Sequence, residues 1–178
     1  MGEKLLYIVF CVAYISLCSC KQKGKVESDV TKPCRLLELD TKQDLIKKVL
    51  QDSTIIVKSS LCDEVFLCDI NCNLFLYISD KHCLTCMESV LEEVLSAIQI
   101  NNISIAIIYH INSLGNFYSI KNRVNDERCK FFFVTEMPKN IVEINEIFMF
   151  TKGGKQNYDN IFIPFNTEVT IADYISKL

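Results

Sequence analysis

Two cysteines separated by two residues, Cys83 and Cys86, are the residues of this sequence with the clearest capacity for chemistry. At this spacing one helical turn brings the second sulfur within reach of the first, so that it can release a mixed disulfide formed there. Such a pair exchanges thiols for disulfides when its first cysteine is held as a thiolate. The spacing therefore predicts a redox-capable dithiol.

The residues around the dithiol predict a strand before it and a helix after it. Residues 74–78 form an apolar run with few polar interruptions, which is typical of a strand buried on both faces. Apolar residues then recur at helical spacing, at Met87, Val90, Leu91, Val94, Leu95 and Ile98. The dithiol thus precedes a helix whose free N–H groups and dipole stabilise a thiolate, with Asp80 or Cys83 expected to cap that helix.

The rest of the chain predicts an α/β fold with a mixed sheet. Strands are expected at residues 54–58, 65–69, 103–109, 130–135, 147–151 and 160–163, and helices at 40–50, 114–124 and 170–178. Alternation of strand and helix after residue 74 implies parallel strands joined by right-handed crossovers. The Gly153-Gly154 pair implies an antiparallel hairpin near the end.

Cys83-Leu84-Thr85-Cys86, placed after a strand and before a helix, resembles the thioredoxin superfamily, especially its membrane-tethered members of the TlpA and ResA kind. The resemblance extends over about residues 73–178 and implies a thioredoxin-like mixed central sheet with helices on both faces. It implies Cys83 as the attacking thiolate and Cys86 as the resolving thiol of a thiol–disulfide oxidoreductase. It also implies that residues 130–135 form an additional central strand.

The sequence departs from that family around the dithiol. Residues 144–147 contain no proline where catalytic members usually carry one opposite the dithiol, and Pro138 lies too far upstream to replace it. The strand at 74–78 has no carboxylate, and His82 replaces an aromatic residue. His82 either favours the Cys83 thiolate or is a solvated loop residue. A non-catalytic thioredoxin-like binding module is therefore the alternative function.

A metal site is the third hypothesis for the dithiol. Cys68 and Cys72, with His82 nearby, are the best candidates for completing a site with Cys83 and Cys86. Structural zinc normally uses a second pair at matching spacing, and no residue pattern here predicts a hairpin that would present Cys68 and Cys72 to the dithiol. We therefore expect neither a metal nor another cofactor.

The N-terminus predicts export and lipidation. Residues 5–17 form an apolar run behind Lys4 that is shorter than the roughly 20 residues of a membrane-spanning helix. Leu17-Cys18-Ser19-Cys20 resembles a bacterial lipobox, which implies cleavage before Cys20 and acylation of that cysteine. An ordinary cleaved signal and a short uncleaved anchor are the alternatives.

The predicted organisation is a lipoprotein signal peptide at residues 1–19, a lipidated polar tether at 20–34 and a thioredoxin-like domain at 35–178. The expected location is the cell envelope, with a lipid anchor in the membrane and the domain facing the periplasm or the cell surface. Expected partners are proteins that offer a disulfide or a dithiol.

Composition agrees with thiol chemistry and excludes nucleic acid as a partner. Ten cysteines in 178 residues are unusual for a cytosolic protein that lacks metal or thiol chemistry. A net charge of −3 provides no basic field to attract nucleic acid. Most of the remaining mature cysteines are expected to be small core residues, and the sequence assigns them no pairing: Cys34, Cys62, Cys68, Cys72 and Cys129.

Overall fold

The computed structural model describes residues 32–51, 55–79, 81–111, 114–135, 146–154, 157–165 and 167–178. The chain divides into two units, Met1–Cys34 and Arg35–Leu178, and the fold below is that of the second. The predicted signal peptide and most of the predicted tether, with Cys20, lie outside the described residues.

Helices and strands alternate through most of the described chain. In order they are α1 (Lys32–Leu50), β1 (Ile56–Ser59), β2 (Glu64–Phe66), a 3₁₀ turn (Leu67–Asp69), β3 (Leu74–Ser79), α2 (Leu84–Asn101), β4 (Ile105–His110), α3 (Leu114–Arg123), β5 (Cys129–Val134), β6 (Phe148–Lys152), β7 (Tyr158–Phe162) and α4 (Ile171–Ile175).

The strands form one mixed sheet in the order β2-β1-β5-β4-β3-β6-β7. β3, β4 and β5 are parallel to one another, whereas β1, β2, β6 and β7 each run antiparallel to their neighbours. The predicted mixed α/β sheet is therefore confirmed, and so is the antiparallel pair that spans Gly153-Gly154. β5 is an internal strand between β1 and β4, as the resemblance implied.

β3 lies at the centre of the packing, and all six of its residues are buried. Successive side chains of a strand point to opposite faces, so that Leu76 joins the core beneath α2 and Tyr77 joins the core on the α1 side. Both faces of the sheet are thus covered by helices. Each fully buried large apolar side chain contributes roughly 1.5–3 kcal/mol relative to an exposed one.

The strand at 74–78 and the helix over 87–98 are predicted correctly. α2 buries Met87, Val90, Leu91, Val94, Ala97 and Ile98 against the sheet. It ends at Asn102, which adopts the left-handed conformation with φ 52° that asparagine tolerates. The residues directly after this cap belong to neither element, so β4 begins at Ile105 rather than at residue 103.

The predicted boundaries of α1 and of the strand at residues 65–69 are wrong. α1 begins at Lys32 and not at Asp40, because Pro33 falls in the first helical turn, where a missing N–H costs nothing. The strand expected at residues 65–69 is only Glu64–Phe66, and the chain then tightens into the 3₁₀ turn.

None of the helices in the described part of the chain is both long enough and apolar enough to cross a membrane.

Removing a central aromatic ring should test how strongly this core holds β3. Phe75 is buried, and its ring stacks on Phe150 with centroids 4.9 Å apart. We expect Phe75→Ala to lower the free energy of unfolding by about 3–5 kcal/mol, measured by urea denaturation. The matched control is Phe165→Ala, at a side chain that is 66% exposed. This substitution should change the free energy of unfolding by less than about 0.5 kcal/mol. Equal losses in the two variants would contradict this packing.

Candidate functional site: the Cys83–Cys86 pair

Cys83 occupies the cap position of α2. Its backbone is extended, with φ −64° and ψ 144°, and its Sγ accepts a hydrogen bond from the Cys86 N–H at 3.2 Å. The Cys83 carbonyl accepts the N–H of Met87 at 3.1 Å and so begins the helical hydrogen bonding. Of the two expected caps, Cys83 is therefore the one observed, and Asp80 lies outside the described residues.

Cys83 and Cys86 are joined in a disulfide. Their Cα atoms are 5.3 Å apart, within the usual range for bridged cysteines. The expectation that this spacing brings the two sulfurs together is confirmed. Both residues are exposed, and Leu84 between them is 46% exposed, so that the bond is open to a reactant in solution.

Ser79, the last residue of β3, holds the loop that carries the disulfide. Its carbonyl oxygen accepts the N–H of His82 at 3.3 Å, and its Oγ accepts the N–H of Lys81 at 3.4 Å. Ser79 itself is buried. The loop between β3 and α2 is thus tied to the most buried strand of the sheet. Sequence reasoning missed this residue, whose only signal was its place at the end of an apolar run.

His82 is half-buried, and its Nε2 is buried without a hydrogen-bond partner in the described part of the chain. It is therefore not a freely solvated loop residue, which was one of the two expectations. Nor does its Nε2 bond to either sulfur of the adjacent disulfide. Whatever influence His82 has on Cys83 is electrostatic or steric in this state.

The start of β6 lies at the same end of the sheet as the disulfide, because β6 runs antiparallel to β3. Glu146 stands just before β6 and pairs with Lys42 of α1 at 2.9 Å. Ile144, Asn145 and Pro138 lie outside the described residues. Of the proline-free stretch 144–147, the structure thus describes Glu146, which forms an ion pair, and Ile147, which is buried.

The other described cysteines are unpaired: Cys62, Cys68, Cys72 and Cys129. Cys62 is exposed, whereas Cys72 is buried in the core. Burial raises the pKa of the Cys72 thiol, against the opposing charges of Lys130 and Lys152. Burial also raises the pKa of Cys129 to about 12, with a smaller contribution from Asp126. Protonated thiols are poor nucleophiles, so we expect these two cysteines to react slowly near neutral pH.

The metal hypothesis receives no support from the geometry. Among the residues that the structure describes, no three histidine, cysteine, aspartate or glutamate side chains are grouped so as to hold a metal ion. Cys68, Cys72 and His82 all belong to that described set.

Comparison with known proteins finds relatives in structure but not in sequence. No protein-family model and no curated protein matches the chain. Among solved structures, a thio-disulfide isomerase from Thermus thermophilus is similar with a TM-score of 0.50 and 6% identity, covering 69% of this chain and 88% of that one.

Two further solved structures are similar with lower scores. BsSco, a member of the Sco family of cytochrome c oxidase assembly proteins, has a TM-score of 0.48 and 12% identity, covering 69% of this chain and 88% of its own. The exposed lipoprotein thioredoxin Etrx1 of Streptococcus pneumoniae strain TIGR4 has a TM-score of 0.44 and 9% identity, covering 70% and 98%.

The similarity to the Thermus structure establishes the class of fold. At 6% identity it supports no conclusion beyond the fold. The chain has a thioredoxin-like fold: a mixed sheet with helices on both faces and a Cys-x-x-Cys disulfide at the start of α2.

The free cysteines should differ in alkylation rate according to how deeply each thiol is buried. At pH 8, we expect Cys62 to react with iodoacetamide at least about tenfold faster than Cys129, because the pKa of Cys129 is about 12 and its thiol is half-buried. Mass spectrometry of tryptic peptides after timed quenching measures both rates in one sample. Unfolding in urea is the control and should make the rates similar, whereas similar rates in the native protein would contradict the burial of Cys129.

Proposed function

We propose that this protein is a lipid-anchored thiol–disulfide oxidoreductase of the cell envelope. The observation that carries the proposal is an exposed Cys83–Cys86 disulfide whose first sulfur caps helix α2. Structural disulfides in small domains usually staple distant segments of chain. This one closes a loop of only a few residues at a helix terminus, where it adds little to stability and is open to exchange.

The geometry supports Cys83 as the nucleophile. Its Sγ already accepts the Cys86 N–H at 3.2 Å in the disulfide. In the reduced protein the same bond would go to an anionic sulfur, and hydrogen bonds to charged acceptors are roughly twice as strong as neutral ones. The N-terminal dipole of α2 acts in the same direction, since an anion at this terminus is stabilised. Both effects favour a thiolate at Cys83 over one at Cys86.

The proposed reaction is a two-step exchange. The Cys83 thiolate attacks one sulfur of a substrate disulfide, forms a mixed disulfide and expels the other sulfur as a thiolate. Cys86 then loses its proton and attacks the Cys83 sulfur, which restores the disulfide of the protein and releases the second substrate thiolate. The protein loses two electrons and the substrate gains them. The reverse sequence oxidises a substrate dithiol, so proteins with either a disulfide or a dithiol are the proposed substrates.

Replacement of the proposed nucleophile should abolish exchange. We expect Cys83→Ser to lower insulin-reduction activity at least about 100-fold, because the serine hydroxyl is not ionised near neutral pH. Turbidity of precipitating insulin chains in the presence of dithiothreitol measures the rate. Cys62→Ser is the matched control at an exposed, unpaired cysteine and should retain full activity.

The same assay decides between the two candidate functions. The second candidate is a non-catalytic thioredoxin-like binding module on the same anchor, and the proline-free stretch 144–147 favours it. Insulin reduction no faster than the Cys83→Ser background in the unaltered protein would overturn the oxidoreductase and leave the binding module.

The lipid anchor is proposed on the sequence of the N-terminus. Cys20 follows Leu17-Cys18-Ser19 in the order of a lipobox, and the charged segment after it is suited to a tether. An acyl chain contributes about 0.8 kcal/mol of membrane affinity for each buried CH₂ group, so that several chains hold the protein firmly.

Labelling with a palmitate analogue should identify the acylated residue. We expect Cys20→Ser to lose the label and to move from the membrane fraction to the soluble fraction, because the variant offers no sulfur for the lipid. Cys18→Ser is the matched control two residues upstream, and it should be labelled normally. Equal labelling of Cys20→Ser and the unaltered protein would contradict acylation at this site.

A further inference from the structure

Two buried polar residues lie side by side at the end of the sheet from which the dithiol loop starts. Ser79 is 3% exposed and His110 is 7% exposed, and they are register partners at the last positions of β3 and β4. Register partners in a sheet present their side chains to the same face about 4.8 Å apart. The His110 ring also stacks on Tyr77 at 6.4 Å, which places it on the face of the sheet that α1 covers.

His110 carries an unsatisfied polar atom in this position. Its Nδ1 is buried and has no hydrogen-bond partner within the described ranges. Buried polar groups in proteins are nearly always paired, and each exception calls for an explanation such as a functional role. The chain contains two histidines, and both His82 and His110 place a buried, unpartnered ring nitrogen near the end of the sheet that carries the disulfide.

A carboxylate stands on the opposite side of Ser79 from His110. Tyr77 pairs with Phe148, so the same antiparallel register brings the position of Glu146 level with Ser79. Glu146 is largely buried and pairs with Lys42 of α1 at 2.9 Å. The Glu146 carboxylate is already paired with Lys42, so this ion pair adds polar groups but no net charge across the strand from His110.

We propose that His110 is a positioning residue for the dithiol, that it acts through Ser79, and that it takes up a proton when the Cys83–Cys86 disulfide is reduced. This inference rests on the proposed redox function. Ser79 Oγ accepts the Lys81 N–H, and its carbonyl accepts the His82 N–H. A protonated His110 donates from both ring nitrogens and competes with these loop N–H groups for the oxygens of Ser79. This competition couples the charge on the imidazole to the conformation of the loop.

The proton balance of the reaction then includes His110. A substrate dithiol supplies two electrons and two protons and becomes a disulfide. One proton goes to Cys86, Cys83 remains a thiolate, and the second proton goes to His110. The new negative charge on Cys83 offsets part of the cost of burying an imidazolium.

The described charged and titratable side chains on the α1 face near His110 are Tyr77 of β3, whose ring stacks on the imidazole, and the Glu146–Lys42 pair on the other side of β3. The register partner of His110 on β5 is the apolar Val134. Lys81 and His82 follow in the loop that starts at Ser79. Asp80 and residues 112–113 and 136–145 lie outside the described part of the chain.

The pH dependence of the dithiol equilibrium tests this proposal. The full chain in detergent is equilibrated with glutathione buffers between about pH 5.5 and 8.5, where histidine titrates, and the reduced fraction is measured by alkylation and mass spectrometry. We expect His110→Gln, which does not take up a proton, to bind one proton fewer for each dithiol formed. Its equilibrium constant should therefore diverge from that of the unaltered protein by up to tenfold for each pH unit, or about 30 mV.

Two further variants separate proton uptake from packing. His110→Phe keeps a ring against Tyr77 and should show the same change in pH dependence as His110→Gln. His82→Gln removes the other histidine and should retain the pH dependence of the unaltered protein. Loss of that dependence in His82→Gln alone would assign the proton to His82 and overturn the proposal.

The outcomes distinguish failure of the proposed function from failure of this inference alone. If Cys83 and Cys86 of the unaltered protein do not exchange reversibly with glutathione at any pH, the proposed function fails and this inference fails with it. If they exchange and His110→Gln has an unchanged pH dependence, this inference alone is overturned. Should the variants not fold, NMR of ring-labelled histidine in the unaltered protein decides: His110 must gain a proton on reduction, and identical titration in both redox states overturns the proposal.

Discussion

The burial of β3 on both faces is the constraint on which the rest of this structure depends. β3 pairs with β4 on one side and β6 on the other, and all six of its residues are buried, which leaves its end little freedom to move. Ser79, at that end, accepts the N–H of Lys81 with its hydroxyl oxygen and the N–H of His82 with its carbonyl oxygen. A short loop anchored in this way delivers Cys83 to the cap of α2 in a defined orientation, and helix packing against the same strand fixes Cys86 one turn further on.

Burial also separates reactive sulfur from inert sulfur in a chain that has ten cysteines. Cys83 and Cys86 are exposed at a helix N-terminus, where a thiolate is stabilised. Cys72 and Cys129 lie towards the amino ends of the parallel strands, where loss of solvent raises the pKa of each thiol. Burial thus lowers the reactivity of Cys72 and Cys129, which pack as small apolar side chains, whereas Cys62 and the Cys83–Cys86 pair stay exposed.

The carboxyl end of the parallel strands combines polar groups that are far apart in the chain. His110 and Ser79 come from neighbouring strands, and Glu146 and Lys42 add an ion pair. Parallel strands present their carboxyl ends at one edge of a sheet, so loops and strand ends from distant parts of the sequence meet there. This edge therefore combines buried polar side chains with the exposed dithiol that follows β3.

The amino-acid sequence by itself determined the local elements: the apolar run of β3, the helical spacing of α2 and the Cys-x-x-Cys pair between them depend only on neighbouring residues. It failed at the start of α1, where Pro33 was compatible with a first turn. Only the tertiary structure decided that Ser79 and His110 are register partners, that Glu146 lies level with them, and that Cys72 is buried while Cys62 is not. These outcomes depend on the pairing and packing of residues distant in the chain, and no local periodicity encodes them.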